Sequence, residues 1–157
     1  MLNVYTVSFF GHRDFCEHYK YAPVLDEILT DLARTKEYVE FLVGRNGEFD
    51  SFAASSVRRL KQNYDSNVSL NLVLPYLTAE YKKNQESFDS YYDVVEICEK
   101  SASAHFKAAM QIRNREMASR SDLIICYISK HSGGAYQTIR FAEKSGRKLI
   151  NLFDYDI

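Results

Sequence analysis

The 157-residue sequence predicts a three-layer α/β/α sandwich on a mainly parallel sheet of five to six strands, with residues 1–157 forming one domain. Three observations predict it. Almost uninterrupted runs of β-branched and aromatic residues recur along the chain, as in parallel strands covered on both faces. Segments with apolar residues at helical spacing separate these runs. Glycine-containing polar turns follow three of the runs, at the chain positions where an open parallel sheet binds ligands.

The elements follow in order. Val4 to Phe10 reads as a buried strand stopped by Gly11. A helix is expected from about Pro23, since proline suits a first helical turn, and Val24, Leu25, Ile28, Leu29 and Leu32 then recur at helical spacing. Tyr38 to Val43 is the second strand, closed by Gly44. A second helix is expected from about Asp50 to Tyr64, with Phe52, Ala53, Val57 and Leu60 on one face. Val68 to Leu74 is the third strand, ended by Pro75. The stretch from Tyr76 to Ser103 has no clean period. It reads either as a lid or binding loop or as a short helix with an edge strand near Asp93 to Glu96. Helical spacing returns with Phe106, Ala109, Met110, Arg113 and Met117. Leu123 to Ile128 is a further strand, Gly133-Gly134 opens a helix ending near Gly146, and Lys148 to Phe153 is the last strand.

Composition narrows the functional classes. Twenty Lys and Arg against 21 Asp and Glu lack the basic excess that captures duplex DNA, so nucleic acid is disfavoured as a partner. No apolar run is long enough for a membrane span, and no secretory leader is read at the N-terminus. Cys16, Cys98 and Cys126 are odd in number and widely spaced, which reads as buried free thiols in a cytoplasmic protein. His12, His18, His105 and His131 lack ligand spacing, so no metal is expected, and without a Gly-x-Gly-x-x-Gly fingerprint no cofactor is expected either.

Chemistry is expected in the three turns. Gly11 admits close backbone approach, while His12 and Arg13 can donate to a phosphate or carboxylate. In Gly44-Arg45-Asn46-Gly47-Glu48-Phe49-Asp50, two glycines flank a cation and an amide ahead of a helix start that favours anions. Glu48 and Asp50 there read equally as helix caps, as acceptors of sugar hydroxyls or as a general base. Ser132, Gly133 and Gly134, with Thr138 just beyond, follow a strand and open a helix, the context of a phosphate cradle. Arg113 lies on the apolar face of its helix, so it either pairs with a carboxylate or points into the ligand cleft.

These turns carry a resemblance. Gly11-His12-Arg13, the segment from Gly44 to Asp50, and Ser132-Gly133-Gly134-Ala135 resemble the SLOG superfamily, which includes the lonely-guy phosphoribohydrolases and the Rossmann domain of DNA-processing protein A; small bacterial members look most similar. The resemblance implies a Rossmann-like fold and a nucleotide-derived ligand. Met110-Gln111-Ile112-Arg113-Asn114 is similar to the lonely-guy motif Met-His-Glu-Arg-Lys, which would make Arg113 the ligand-contacting arginine. The following Pro-Gly-Gly-Tyr-Gly-Thr motif is matched in part. Ser132 stands for Pro, the third glycine is missing, Thr138 comes one residue late, and the catalytic Glu would fall near Ile139, Arg140 or Phe141, none of them acidic.

The expected function is therefore binding or sensing of a nucleotide or nucleotide-derived phosphorylated ligand. The rival is an N-glycosidic hydrolase or glycosyl-transferring enzyme, with Glu48, Asp50 and Arg113 as candidate catalytic groups. A homodimer stays open, because lonely-guy relatives commonly pair.

Overall fold

The computed structural model describes residues 1–157. Six parallel strands form one sheet: β1 (Val4–Gly11), β2 (Tyr38–Val43), β3 (Val68–Leu74), β4 (Val94–Ile97), β5 (Leu123–Tyr127) and β6 (Leu149–Asn151), in the spatial order β4-β3-β2-β1-β5-β6. All five pairings are parallel. Seven helices connect them: α1 (His18–Thr35), α2 (Glu48–Tyr64), α3 (Ala79–Lys83), α4 (Gln85–Tyr91), α5 (Glu99–Ala102), α6 (Phe106–Ser119) and α7 (Gly134–Lys144).

Strand alternation sorts the apolar residues into two cores. Val7 and Phe9 of β1, with Phe41, Leu70, Leu72 and Ile125, pack against Leu25 and Leu29 of α1 and Phe52 and Val57 of α2. Phe10, Leu42, Val73, Ile124 and Cys126 point the other way and meet Met117 and Ala118 of α6 and Ile139 and Ala142 of α7. Covering both faces is what a sheet of nearly continuous apolar strands requires.

The order of strands also fixes where a ligand can enter. The chain steps outward from β1 to β4, then returns to the other side of β1 for β5 and β6. The loops leaving β1 and β5 therefore diverge to opposite faces and leave a crevice at the carboxyl ends of those strands.

Four sequence expectations are corrected. First, α1 begins at His18, five residues before Pro23, which sits inside the helix. Its ring removes one amide donor, and the carbonyl left without it belongs to the exposed first turn, where water replaces the bond. Second, the final strand is only Leu149–Asn151, because a 3-10 turn over Leu152–Asp154 follows at once. The Asn151 side chain directs this. Its Oδ1 accepts from Ile128 N–H (3.0 Å) and Phe153 N–H (3.2 Å), and its Nδ2 donates to Ile128 O. Third, α2 starts at Glu48 rather than Asp50. Fourth, Cys16 is exposed; only Cys98 and Cys126 are buried. The Tyr76 to Ser103 stretch resolves into α3, α4, β4 and α5, the helix-and-strand reading, with β4 at the sheet edge.

Candidate functional site

The β1–β5 crevice opens into a cleft of about 420 Å³. Its walls come from three turns and one helix: the turn after β1 (Gly11 to Asp14), the turn after β2 (Gly44, Asn46, Gly47), the turn after β5 (Lys130 to Ala135), and α6, which contributes Met110, Gln111, Arg113, Asn114 and Met117. Asp50, in the first turn of α2, also lines it.

Two glycines are required by packing. A Cβ on Gly11 would collide with the buried Phe49 ring, and one on Gly47 would fall 2.5 Å from Arg13 Cα. The absence of both side chains lets the turn after β2 lie directly against the turn after β1. A backbone hydrogen bond from Glu48 N–H to Arg13 O (2.8 Å) fastens the two.

Gly133 is required by conformation. Its φ of 97° and ψ of 172° belong to a region open essentially to glycine alone, and it caps the N-terminus of α7. No side chain caps that helix. The first amides of α7 have no intrahelical acceptor, so they and the helix dipole offer an anion a ready cradle beside Ser132 and Gly134.

Arg113 lies at the floor and is 1% exposed. Its Nη1 donates to Val73 O (2.7 Å) and its Nε to Asn114 Oδ1 (2.9 Å), and it takes part in no ion pair. Burial pushes its pKa down and Asp50 draws it partly back. A guanidinium keeps its proton even so. Asp50 responds in the opposite sense. Burial raises its pKa, against the lowering effect of the Asn46 N–H bonded to Oδ2 (2.9 Å) and of the Arg113 charge. Arg13 and Lys130, both exposed, stand at the rim without ion-pair partners. The cleft thus holds three cations and two carboxylates, Asp14 and Asp50, none of them paired.

His12 has a different task from the one its sequence position suggests. It is buried, and its Nε2 accepts from Ser129 N–H (3.0 Å) and Lys130 N–H (3.3 Å). Burial and the Lys130 charge both lower its pKa. A neutral imidazole that accepts through Nε2 pins the turn after β5, so its Nε2 cannot donate to a ligand.

Eleven of the sequence-predicted residues are brought together at this cleft: Gly11, His12, Arg13, Gly44, Asn46, Gly47, Asp50, Arg113, Ser132, Gly133 and Gly134. Three predicted ligand contacts lie outside it. Arg45 turns outward to pair with Glu80 (3.0 Å), donate to the Tyr92 hydroxyl (3.0 Å) and stack on Phe88. Glu48 is exposed and borders a neighbouring polar groove. Thr138 is fully buried, its hydroxyl donating to Gly134 O inside α7 (2.9 Å). Sequence reasoning passed over Asn114, Gln111 and Lys130 as site residues. Lys130 could have been found from its position between a strand end and the glycine pair. Gln111 Nε2 donates to Gly134 O (3.0 Å), tying α6 to the α7 cradle, while its buried Oε1 has no partner.

No family model and no curated protein matches the chain. Solved structures do. DNA processing protein A from Streptococcus pneumoniae aligns with a TM-score of 0.66 at 16% identity, over 93% of this chain and 49% of that one. DNA processing protein A from Helicobacter pylori, described for its single-stranded DNA binding mode, aligns with a TM-score of 0.62 at 14% identity, over 92% and 63%. The structural-genomics target TM1055 aligns with a TM-score of 0.60 at 14% identity, over 92% and 72%. The chain spans about half the length of the first of these proteins. The chain shares the fold of these proteins, a Rossmann-like α/β sandwich.

Proposed function

We propose that the chain acts as a single cytoplasmic domain that binds a nucleotide or nucleotide-derived phosphorylated ligand in the β1–β5 cleft. The observation that carries this reading is Arg113. A guanidinium buried to 1% exposure, with no ion pair and with donors left over, needs an anion in contact with it. The uncapped N-terminus of α7 and the unpaired Arg13 and Lys130 supply further donors around the same space. Asn46 and Asp50, on the β2 side, suit sugar hydroxyls.

The test is calorimetric titration with nucleoside monophosphates, ADP-ribose and cyclic nucleotides. At least one is expected to bind in the micromolar range, with affinity lost in Arg113→Met. Failure of all of them at millimolar concentration defeats the reading. A single-stranded oligonucleotide belongs in the same series, given the fold shared with the Helicobacter protein. Tight, steeply salt-dependent binding of the oligonucleotide alone would move the assignment to nucleic acid.

Asp50 supports a second reading, hydrolysis of an N-glycosidic bond. It is the acidic residue beside Arg113, and burial raises its pKa, the direction that favours a proton-transferring carboxyl. Release of free base from a nucleotide, abolished in Asp50→Asn while binding persists, would establish it. Binding without any turnover would reject it.

A further inference from the structure

The outer end of α6 carries an aromatic residue that packing does not explain. Phe106 is 61% exposed and belongs to neither core. It shares one helical face with Met110, Arg113 and Met117. Along that face burial deepens step by step: Phe106 is exposed, Met110 half-buried, Arg113 and Met117 each 1% exposed. The three deeper residues all line the cleft, and Phe106, which does not line it, is the next position outward on the same helical face.

The ring is also held in place. His105 stacks on it, with centroids 4.7 Å apart and planes 28° from parallel. The imidazole is itself fixed as the N-cap of α6, where its Nδ1 accepts from Lys107 N–H (3.2 Å). A large apolar side chain displayed on a fixed support, continuous with a polar cleft, is the arrangement that meets a flat aromatic ligand group. Seven residues of helix separate Phe106 from Arg113, about 10 Å along the axis. That is room for a sugar between an anion at Arg113 and a ring at Phe106.

We infer that Phe106 is the stacking platform for the base of the bound ligand, which makes the ligand a nucleoside phosphate rather than a bare sugar phosphate. This rests on the nucleotide reading above. Every nucleobase has a π-face, so the platform selects for the presence of a base and not for its identity.

The experiment compares adenosine 5′-monophosphate with ribose 5-phosphate by calorimetry, on the wild-type chain, Phe106→Ala and Phe106→Tyr, each checked by thermal melting. The wild type is expected to favour the nucleotide by about tenfold or more. Phe106→Ala should lose that preference without changing ribose 5-phosphate affinity, and Phe106→Tyr should keep it. Unchanged nucleotide affinity in Phe106→Ala, or equal binding of both compounds by the wild type, overturns the platform and leaves the anion site standing. If the wild type binds neither compound, the platform is overturned, and if it also binds none of the other nucleotides titrated above, the nucleotide reading fails with it. A change in association state of Phe106→Ala in sedimentation, with ligand affinity intact, overturns the platform in favour of a subunit contact.

Discussion

Arg113 and Asp50 face each other across Gly44 without forming an ion pair. A Cβ at Gly44 would stand 3.2 Å from both guanidinium nitrogens and 3.2 Å from Asp50 Oδ2. The missing side chain is thus a gap between opposite charges, and a ligand oxygen or hydroxyl can enter it. A direct bond between the two would have neutralised both and closed the floor of the cleft.

Ligand affinity should depend on the shape of Arg113 as well as its charge. Arg113→Lys keeps the cation but loses the planar fork that bonds Val73 O, Asn114 and a ligand together. Loss of one charge-assisted hydrogen bond, about 1.5–3 kcal/mol, corresponds to a roughly 10- to 100-fold weaker Kd in titration calorimetry.

Asp50→Asn should leave the folded protein as stable as the wild type at pH 7, or more so. The Asp50 pKa is raised in the fold, so its ionisation there is a burden that rises with pH and is relieved as pH falls through the folded pKa. Asn keeps an acceptor for the Asn46 N–H without the charge. Urea denaturation at pH 7 measures this, and a clear loss of stability would show that the Arg113 interaction outweighs desolvation.

His12 predicts an acid-sensitive turn. Its pKa lies below the ordinary 6.5 in the fold. Above 6.5 the imidazole is neutral in folded and unfolded chains alike, and its contribution is fully present. Below that value the unfolded chain takes up a proton that the native state resists, so stability falls with falling pH. His12→Gln retains a non-titrating acceptor for Ser129 and Lys130. Its melting temperature should drop less than that of the wild type between pH 7.5 and 5.5, and equal drops would count against the assignment.

Gly133→Ala isolates the cradle from the core. No atom would crowd the new Cβ, but the backbone conformation is one that alanine avoids, at a cost of about 1–3 kcal/mol. The turn should relax rather than the fold. Anion affinity should fall by more than the melting temperature alone would suggest, as measured by titration and calorimetric melting of one sample.

Gly11→Ala should act on the fold instead. Its Cβ would meet the Phe49 ring, which is completely buried among Phe15, Phe52 and Tyr127 and cannot retreat. Overpacking of this kind costs about 1–3 kcal/mol. Denaturant titration should show the midpoint shifted with little change in slope.

Much of this arrangement could be read from residue order. The apolar runs located the other strands to within a residue or two, except at the C-terminus, the edge strand offered near Asp93 to Glu96 as one of two readings lies at Val94–Ile97, and the glycine turns located the cleft. What failed to show depended on partners distant in sequence. The direction of Arg45 is set by Glu80, Phe88 and Tyr92, on segments without clean periodicity. The choice between Glu48 and Asp50 was more accessible than it looked. Once α2 begins at Glu48, positions two apart lie about 200° apart around the axis and cannot both face one cleft. His12 was placed at the right end of its strand, but the bonds that its Nε2 accepts were not visible in the sequence, because an imidazole nitrogen's role as donor or acceptor depends on the backbone amides that reach it.

Asn151 has a bearing on how copies of this chain coexist at high concentration. By lending its amide to Ile128 and then turning the backbone, it leaves β6 only three residues along which an unfolded or neighbouring chain could add itself. Growth of the sheet beyond its sixth member is thereby blunted at this border, a safeguard against fibrous association that owes nothing to the ligand.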